Sequence, residues 1–241
     1  VILKDCRIFA GAAHLSGQQN RIELSGELDE KDTTNFLSDG WKECTGSLKG
    51  FKIVGGGQWN ASDLSAVDAS RWAALGVAEA WSIAPATVAP GDRVYVGAAN
   101  QSKYTFLGEL GEVAPWTVDV DGSGAMVRGW SLHNYTTART ATGSGTAVLG
   151  SAVTSDQALY AALHVLSVSG TGSPTLTVRV QSDTVGFPSA TTVGTFTAAT
   201  GLTNQFMRIA GPITDTYFRA DWTISGTNPS FLFVVTIGVG P

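Results

Sequence analysis

Residues 21–59 read RIELSGELDEKDTTNFLSDGWKECTGSLKGFKIVGGGQW. In the first part, Ile22, Leu24 and Leu28 alternate with Arg21, Glu23, Ser25, Glu27 and Asp29, the period of two of a half-buried strand. A charged, turn-rich stretch follows over residues 30–40. A second extended run goes from Trp41 through Phe51, Ile53 and Val54 to Trp59. Two strands joined by so long and polar a loop make an arm that reaches beyond its own sheet, and we read it as an assembly device. Gly55, Gly56 and Gly57 predict a bulge or a close backbone approach. They lack both the following Lys-Ser/Thr and the glycine spacing that a phosphate-binding loop needs.

Composition agrees with a mainly β chain. Of 241 residues, 43% are hydrophobic, only 15% are charged and 29 are glycine. Many short apolar runs separated by turn residues are the pattern of an all-β protein. Charge is uneven along the chain: residues 1–135 hold 11 Lys and Arg against 16 Asp and Glu, whereas residues 136–241 hold four of each. The excess of acid argues against tight nucleic-acid binding, which needs a basic patch. Cys6 and Cys44 are too few for a disulfide framework, and free thiols in a reducing cytoplasm are expected. No apolar run reaches the ~20 residues of a membrane span. The start of the chain shows no secretion signal, so no membrane partner is expected.

Around the arm, residues 1–10 read as a first strand and residues 11–17 as a turn plugged by Leu15. One helix is expected over residues 65–75, capped by Ser62 or Asp63. Its Leu64, Val67 or Asp68, Arg71, Trp72 and Leu75 fall at three- and four-residue steps, and Trp72 and Leu75 are expected to pin it to a sheet. Strands follow at residues 79–84, 93–97, 103–108, 111–113, 116–121 and 126–133. Residues 135–150, rich in Thr, Gly and Ser, read as a linker. Beyond it, strands at residues 159–168, 175–181, 217–224 and 231–239, with a turn at residues 170–174, indicate a sandwich or jelly roll. The expected organisation is a β-sandwich or barrel unit with one short helix at residues 1–135, a linker at 136–150 and a β-sandwich or jelly-roll unit at 151–241.

Candidate chemistry is scarce. His14, His133 and His164 are too far apart in sequence for a helix-borne metal pair, and no cysteine pair has zinc spacing. Asp119, Asp121 and Gly122 lack the later Glu of a calcium loop. No Gly-x-Ser-x-Gly elbow is present. The carboxylates Glu23, Glu27, Asp29, Glu30 and Asp32 read as a solvated face, since loop spacing defines no glycosidase pair. Trp222, Tyr217, Phe187 and Phe206 are candidates for stacking on a sugar. Trp222 shares parity with Phe218 and Ile224, which places it in the core. Neither a catalytic residue nor a cofactor is expected.

The order of features over residues 1–135 resembles the tail tube protein (major tail protein) of long-tailed, non-contractile bacteriophages. The residues that carry the likeness are the short first strand, the alternating run at 22–28 entering the polar loop, the return strand through Trp59, the helix at 65–75, and FLGELGEV (106–113) before Trp116. Residues 170–176 and 217–223 resemble small β-sandwich modules appended to phage structural proteins. The resemblance implies a virion tail protein, assembled in the host cytoplasm, that forms rings, usually hexameric. The rings stack into a tube whose β-barrel lumen passes double-stranded DNA during ejection. It implies inter-ring contacts by a loop that falls here on Glu30, Lys31, Asp32, Thr33, Thr34, Asn35 and Phe36. It also implies a lumen-facing surface, for which Glu23, Glu27 and Asp29 are the acidic candidates, because a basic wall would hold DNA. Other tail proteins, and a host-surface glycan on residues 151–241, are the further partners expected. Alternative classes are a capsid decoration, baseplate or glycan-binding adhesion protein, and, less favoured by these residues, a glycan hydrolase.

Overall fold

The computed structural model describes residues 3–62 and 66–241. Fourteen strands and one helix follow one another among them: β1 (Arg7–Ala10), β2 (Ala13–His14), β3 (Gln19–Asp32), β4 (Cys44–Gln58), α1 (Val67–Ala73), β5 (Ala78–Ala84), β6 (Arg93–Phe106) and β7 (Pro115–Gly122). Then come β8 (Val127–His133), β9 (Gly143–Ser144), β10 (Val148–Leu149), β11 (Ala158–Asp183), β12 (Thr191–Thr195), β13 (Thr203–Ala210) and β14 (Tyr217–Gly240). The mainly β reading holds. The described strands join one hydrogen-bonded network whose main path runs β12-β11-β14-β8-β6-β5-β1-β2. From β6 a branch leads through β7 and β4 to β3, which pairs with β4 alone.

Alternation of side chains produces a first core between the sheet of the N-terminal half and α1. Ile8, Leu15, Ile53, Val67, Trp81, Trp116, Val118 and Val120 are buried in it. Leu15 is the expected plug. A side chain on Gly57 would strike the carbonyl of Gln18, which is the close approach expected of the triple glycine. The strands expected at 93–97 and 103–108 are one, β6, carried past a register shift at Gln101/Lys103. Residues 111–113 lie outside any strand, in the loop between β6 and β7.

The helix is shorter than expected and turned over. Its N-cap position is Ala66, which makes no side-chain cap; the cap candidate Asp63, with Leu64 and Ser65, lies outside the described residues, as do Val1 and Ile2. Val67 and Arg71 are its buried residues, while Trp72 and Leu75 stay exposed. Arg71 can face inward because its charge is matched. Its Nη1 donates to Glu79 Oε2 at 2.9 Å and Gln101 Oε1 at 3.2 Å, and its Nη2 to the Ala10 carbonyl at 3.2 Å. The guanidinium also lies over the Trp81 ring. A buried cation is tolerated only with such partners.

In the C-terminal half, β11 and β14 form one antiparallel ribbon from Ala158↔Gly240 to Asp183↔Tyr217. Its register shifts around residues 165–175, next to Gly170, Gly172 and Gly226, all at positive φ. The ribbon bends there and folds on itself. Leu159, Leu163 and Val165 from one end and Leu176, Val178 and Val180 from the other enter the same core, with Phe218, Trp222, Phe231 and Phe233. The expected turn at 170–174 is thus the elbow of a folded ribbon, and a β-sandwich results.

The joint between the halves differs most from the linker reading. The stretch 136–150 is hydrogen-bonded along β14: Arg139 exchanges both backbone bonds with Phe231, β9 pairs with Asp221 and Trp222, and β10 with Tyr217 and Phe218. β14 also pairs directly with β8. A shared core holds Phe9, Ala80, Val94 and Val96 of the first half against Ala158, Tyr160, Ala162 and Val234 of the second. Ala158–Val165 is therefore covered on both faces, which is why it reads as an unbroken apolar run. The stretch expected as a linker at residues 136–150 is thus held along β14 by backbone bonds, where its Thr and Gly are small residues that lie along a strand.

Candidate assembly surface

The arm is real and longer than its loop suggested. Strand β3 pairs with β4 from Gln19↔Gly57 to Asp32↔Cys44. The body supports only its base: β7 pairs with β4 from Gln58 to Lys52 and stops there. On that base Ile22 and Leu24 pack with Phe51 and Ile53 against the first core. Beyond it both faces are exposed, because residues 27–32 and 44–50 carry mostly polar, charged or glycine residues. The unsupported part spans seven residues of β4, Cys44 to Gly50, or roughly 24 Å at the rise of an extended strand. Among the described residues, no strand pairs with the other edge of β3.

Of the residues expected in the inter-ring loop, Glu30, Lys31 and Asp32 belong to β3; Thr33, Thr34, Asn35 and Phe36 lie in the connecting loop, residues 33–43. The ladder carries through Asp32 because that side chain starts the turn, accepting from the Thr34 amide at 2.8 Å. Hydrogen bonds from Thr34 hold the Asp32 carboxyl below its usual pKa. Further bonds build the loop: Glu43 N donates to Thr34 Oγ1 at 2.9 Å, Leu37 N to Asn35 Oδ1 at 2.8 Å and Asn35 N to Ser38 Oγ at 3.0 Å. Turned outward from this frame, Phe36 is 108% exposed, Leu37 92% and Trp41 78%. Three large apolar side chains at the end of a polar projection are the marks of a contact surface.

Glu23, Glu27 and Asp29 are all exposed. At the register shift near Leu28 the extra residue sits on β4, so the alternation of β3 continues and the three carboxylates share one side. Following the register across the sheet, Lys52 lies opposite Ser25 and next to Asp121, and Asp119 lies opposite Lys103. The same face therefore carries Asp119 and Asp121, read from sequence as an ordinary strand and turn. It also carries Arg21, Lys52 and Lys103, which interrupt the acid. Cross-strand neighbours are set by register, and that is not legible in one strand.

Two of the three histidines are held by hydrogen bonds at both ring nitrogens. In His164, Nδ1 donates to the Gly11 carbonyl at 2.7 Å, so Nε2 accepts from Ser82 Oγ at 2.8 Å; Ser82 in turn meets Thr236 Oγ1 at 2.7 Å. This chain of bonds crosses the joint between the halves. In His133, Nδ1 donates to the Phe233 carbonyl and Nε2 accepts from Arg139 Nε, both at 3.0 Å. His14, expected in a turn, lies in β2, stacked on Phe9 at 4.9 Å between ring centroids. Burial lowers all three imidazole pKa values to about 4. Among the described residues no group of three or more His, Cys, Asp or Glu is placed to hold a metal ion. Cys6 and Cys44 are both free, and burial raises the Cys6 pKa. No described helix is long and apolar enough to cross a membrane. Of the sugar-stacking candidates, Trp222 is buried, Phe206 stacks on Tyr160, and half-buried Phe187 lies under Arg219 at 4.4 Å.

No protein-family model and no curated protein matches this chain. Fourteen chains of solved structures are similar at low level, among them the following three. A chain of the native gene transfer agent virion is 16% identical, covering 45% of this chain and 82% of its own, with a TM-score of 0.37. A chain from the tail of the empty gene transfer agent particle with C6 symmetry is 15% identical, covering 45% and 80%, also at 0.37. The SPP1 Dit protein (gp 19.1), described as a hub adsorption apparatus of phages infecting Gram-positive bacteria, is 11% identical over 99% and 100%, again at 0.37. Likeness at this level carries no argument about this chain.

Proposed function

We propose that this protein is a structural subunit of a phage virion tail that polymerises through its β3–β4 arm into stacked rings, forming a tube for DNA ejection. The observation that carries the reading is the arm itself, a hydrogen-bonded hairpin that leaves the body, exposes both faces and ends in Phe36, Leu37 and Trp41. Its open edge on β3 supports ring closure, since pairing with a neighbouring copy removes an edge that otherwise invites uncontrolled association. The sequence resemblance to tail tube proteins supplies the ring and the lumen. In this reading Glu23, Glu27 and Asp29 face the lumen, residues 30–36 touch the next ring, and residues 151–241 lie outside as part of one rigid subunit.

Negative-stain microscopy of the purified full chain tests it: rings or tubes are expected, and monomers under every assembly condition would sink it. Deleting residues 30–35 should leave a folded monomer that does not polymerise. A second reading, a decoration, baseplate or adhesion protein, takes its candidate residue from half-buried Phe187, one face of which is covered by the Arg219 guanidinium. Binding of the full chain to a glycan array, lost on Phe187→Ala, would favour it.

A further inference from the structure

The arm tip has a counterpart at the opposite end of the same strand. There Gln58 pairs with Pro115, and the Trp59 amide bonds the Ala114 carbonyl. Around this end Phe106 stacks on Tyr104 at 5.0 Å and on Trp59 at 6.4 Å, and meets Trp72 edge-on at 6.1 Å. Asp68 braces the cluster, accepting from Trp59 Nε1 at 3.0 Å and Tyr104 OH at 3.2 Å. Despite this bracing the surface is uncovered. Trp72 is 64% exposed, Leu107 57% and Leu110 105%. Leu107 adopts φ 69°, an uncommon conformation for a bulky residue, at the start of the loop that presents Leu110.

The two apolar surfaces cannot meet within one copy. Strand β4 separates them by 15 residues, or about 50 Å of extended backbone. It is held extended by β3 along its length and by β7 over the half nearest Gln58. Aromatic side chains carry roughly 150–250 Å² each. The exposed apolar side chains at each end thus sum to roughly a few hundred Å². A single kind of interface covers both without a further protein, whereas tip-to-tip and end-to-end pairing needs two. Tip meets end surface between different copies, a heterologous contact that leaves one free tip and one free end surface and so propagates.

We propose that the hairpin tip of one copy, Phe36, Leu37 and Trp41, docks on the aromatic end surface of a second copy around Trp72, Leu107 and Leu110. This rests on the assembly reading above and adds the receiving surface. Two variants test it, a tip variant (F36S/L37S/W41S) and an end variant (W72S/L107S/L110S), each compared with wild type by sedimentation velocity. Both are expected to fold and to lose stacking, remaining as single copies or as single rings closed through β3. Mixed in equal amounts they should associate once, tip to end, and grow no longer, because the mixture holds one kind of working tip and one kind of working end surface on different partners. An end variant that stacks like wild type, or a mixture that does not associate, overturns the docking while leaving the arm reading intact. A wild type that never assembles overturns the arm reading and the docking together. Should the end variant fail to fold, a photo-crosslinker at position 36 of assembled wild-type chains replaces it. Adducts mapping to residues 72 or 107–113 of another copy support the contact, and adducts confined to other segments refute it.

Discussion

The molecule contains two long antiparallel ribbons with opposite fates. The β3–β4 ribbon projects into solvent; the β11–β14 ribbon folds over and becomes the centre of a core. Both have good ladders, so backbone hydrogen bonding does not distinguish them. Side-chain pattern and elbow do. In β11–β14, apolar residues recur at both ends, and Gly170, Gly172 and Gly226 at positive φ let the ribbon bend between them. Folding then buries each end on the other. In β3–β4 the core-facing apolar residues stop at Leu24 and Phe51, and bending the outer part back would desolvate Glu27, Glu30, Asp32 and Lys49 for the small apolar gain of Leu28 and Leu48. A ribbon without a partner inside its own chain is free to take one outside.

Substitutions should show this contrast most strongly in the buried ribbon. Phe233 is fully buried, stacked on His133 at 4.2 Å and edge-on to Trp222 at 5.7 Å. Phe233→Ala should lower stability by about 3–5 kcal/mol in urea titration. A loss under 1 kcal/mol would mean that the ribbon is not the core described.

An intermediate effect is expected at the joint. The His164 pKa in the fold is about 4, below the ordinary 6.5, because of burial. Falling pH therefore protonates the unfolded chain first. The contribution of neutral His164 is fully present above pH 6.5 and is lost as pH drops towards 4, on the order of 3 kcal/mol in all. His133 and His14 act in the same direction. The groups around the joint include Arg139 beside His133, Arg7 near His14, and the Arg71–Glu79 pair beyond Gly11. The melting temperature should fall between pH 6.5 and 5, before most carboxylates titrate, and His164→Gln should flatten that slope. An unchanged slope would show that His164 is solvated.

The smallest effect belongs to the arm. Leu28 is half exposed and lies over Gly46. Leu28→Ser should change monomer stability by less than ~0.5 kcal/mol in the same titration. A loss of 2 kcal/mol would place the arm within a core and remove the contrast between the ribbons.

Much of this was legible locally. The alternation at Ile22 and Leu24 marks a strand with one buried face, and the parity of Trp222 with Phe218 places it in the core, where it lies. Leu15 reads as a plug and is buried. What escaped has a common cause. Arg71 is buried in preference to Trp72 because Ala10, Glu79 and Gln101 converge on it from three different strands. The stretch 136–150 reads as a linker because its small polar residues bury nothing, yet it is ordered by backbone bonds to β14. Such bonds are indifferent to side-chain type and leave no periodic trace.

Sequence alone therefore determined most of the long strands, the polar arm and the lack of a local catalytic motif, since each follows from the spacing of neighbouring residues. Tertiary structure alone decided which ribbon folds and which projects, how the halves are joined, and that the two exposed apolar surfaces stand at opposite ends of β4. These are matters of register and distance between segments far apart in the chain, and no residue encodes them singly.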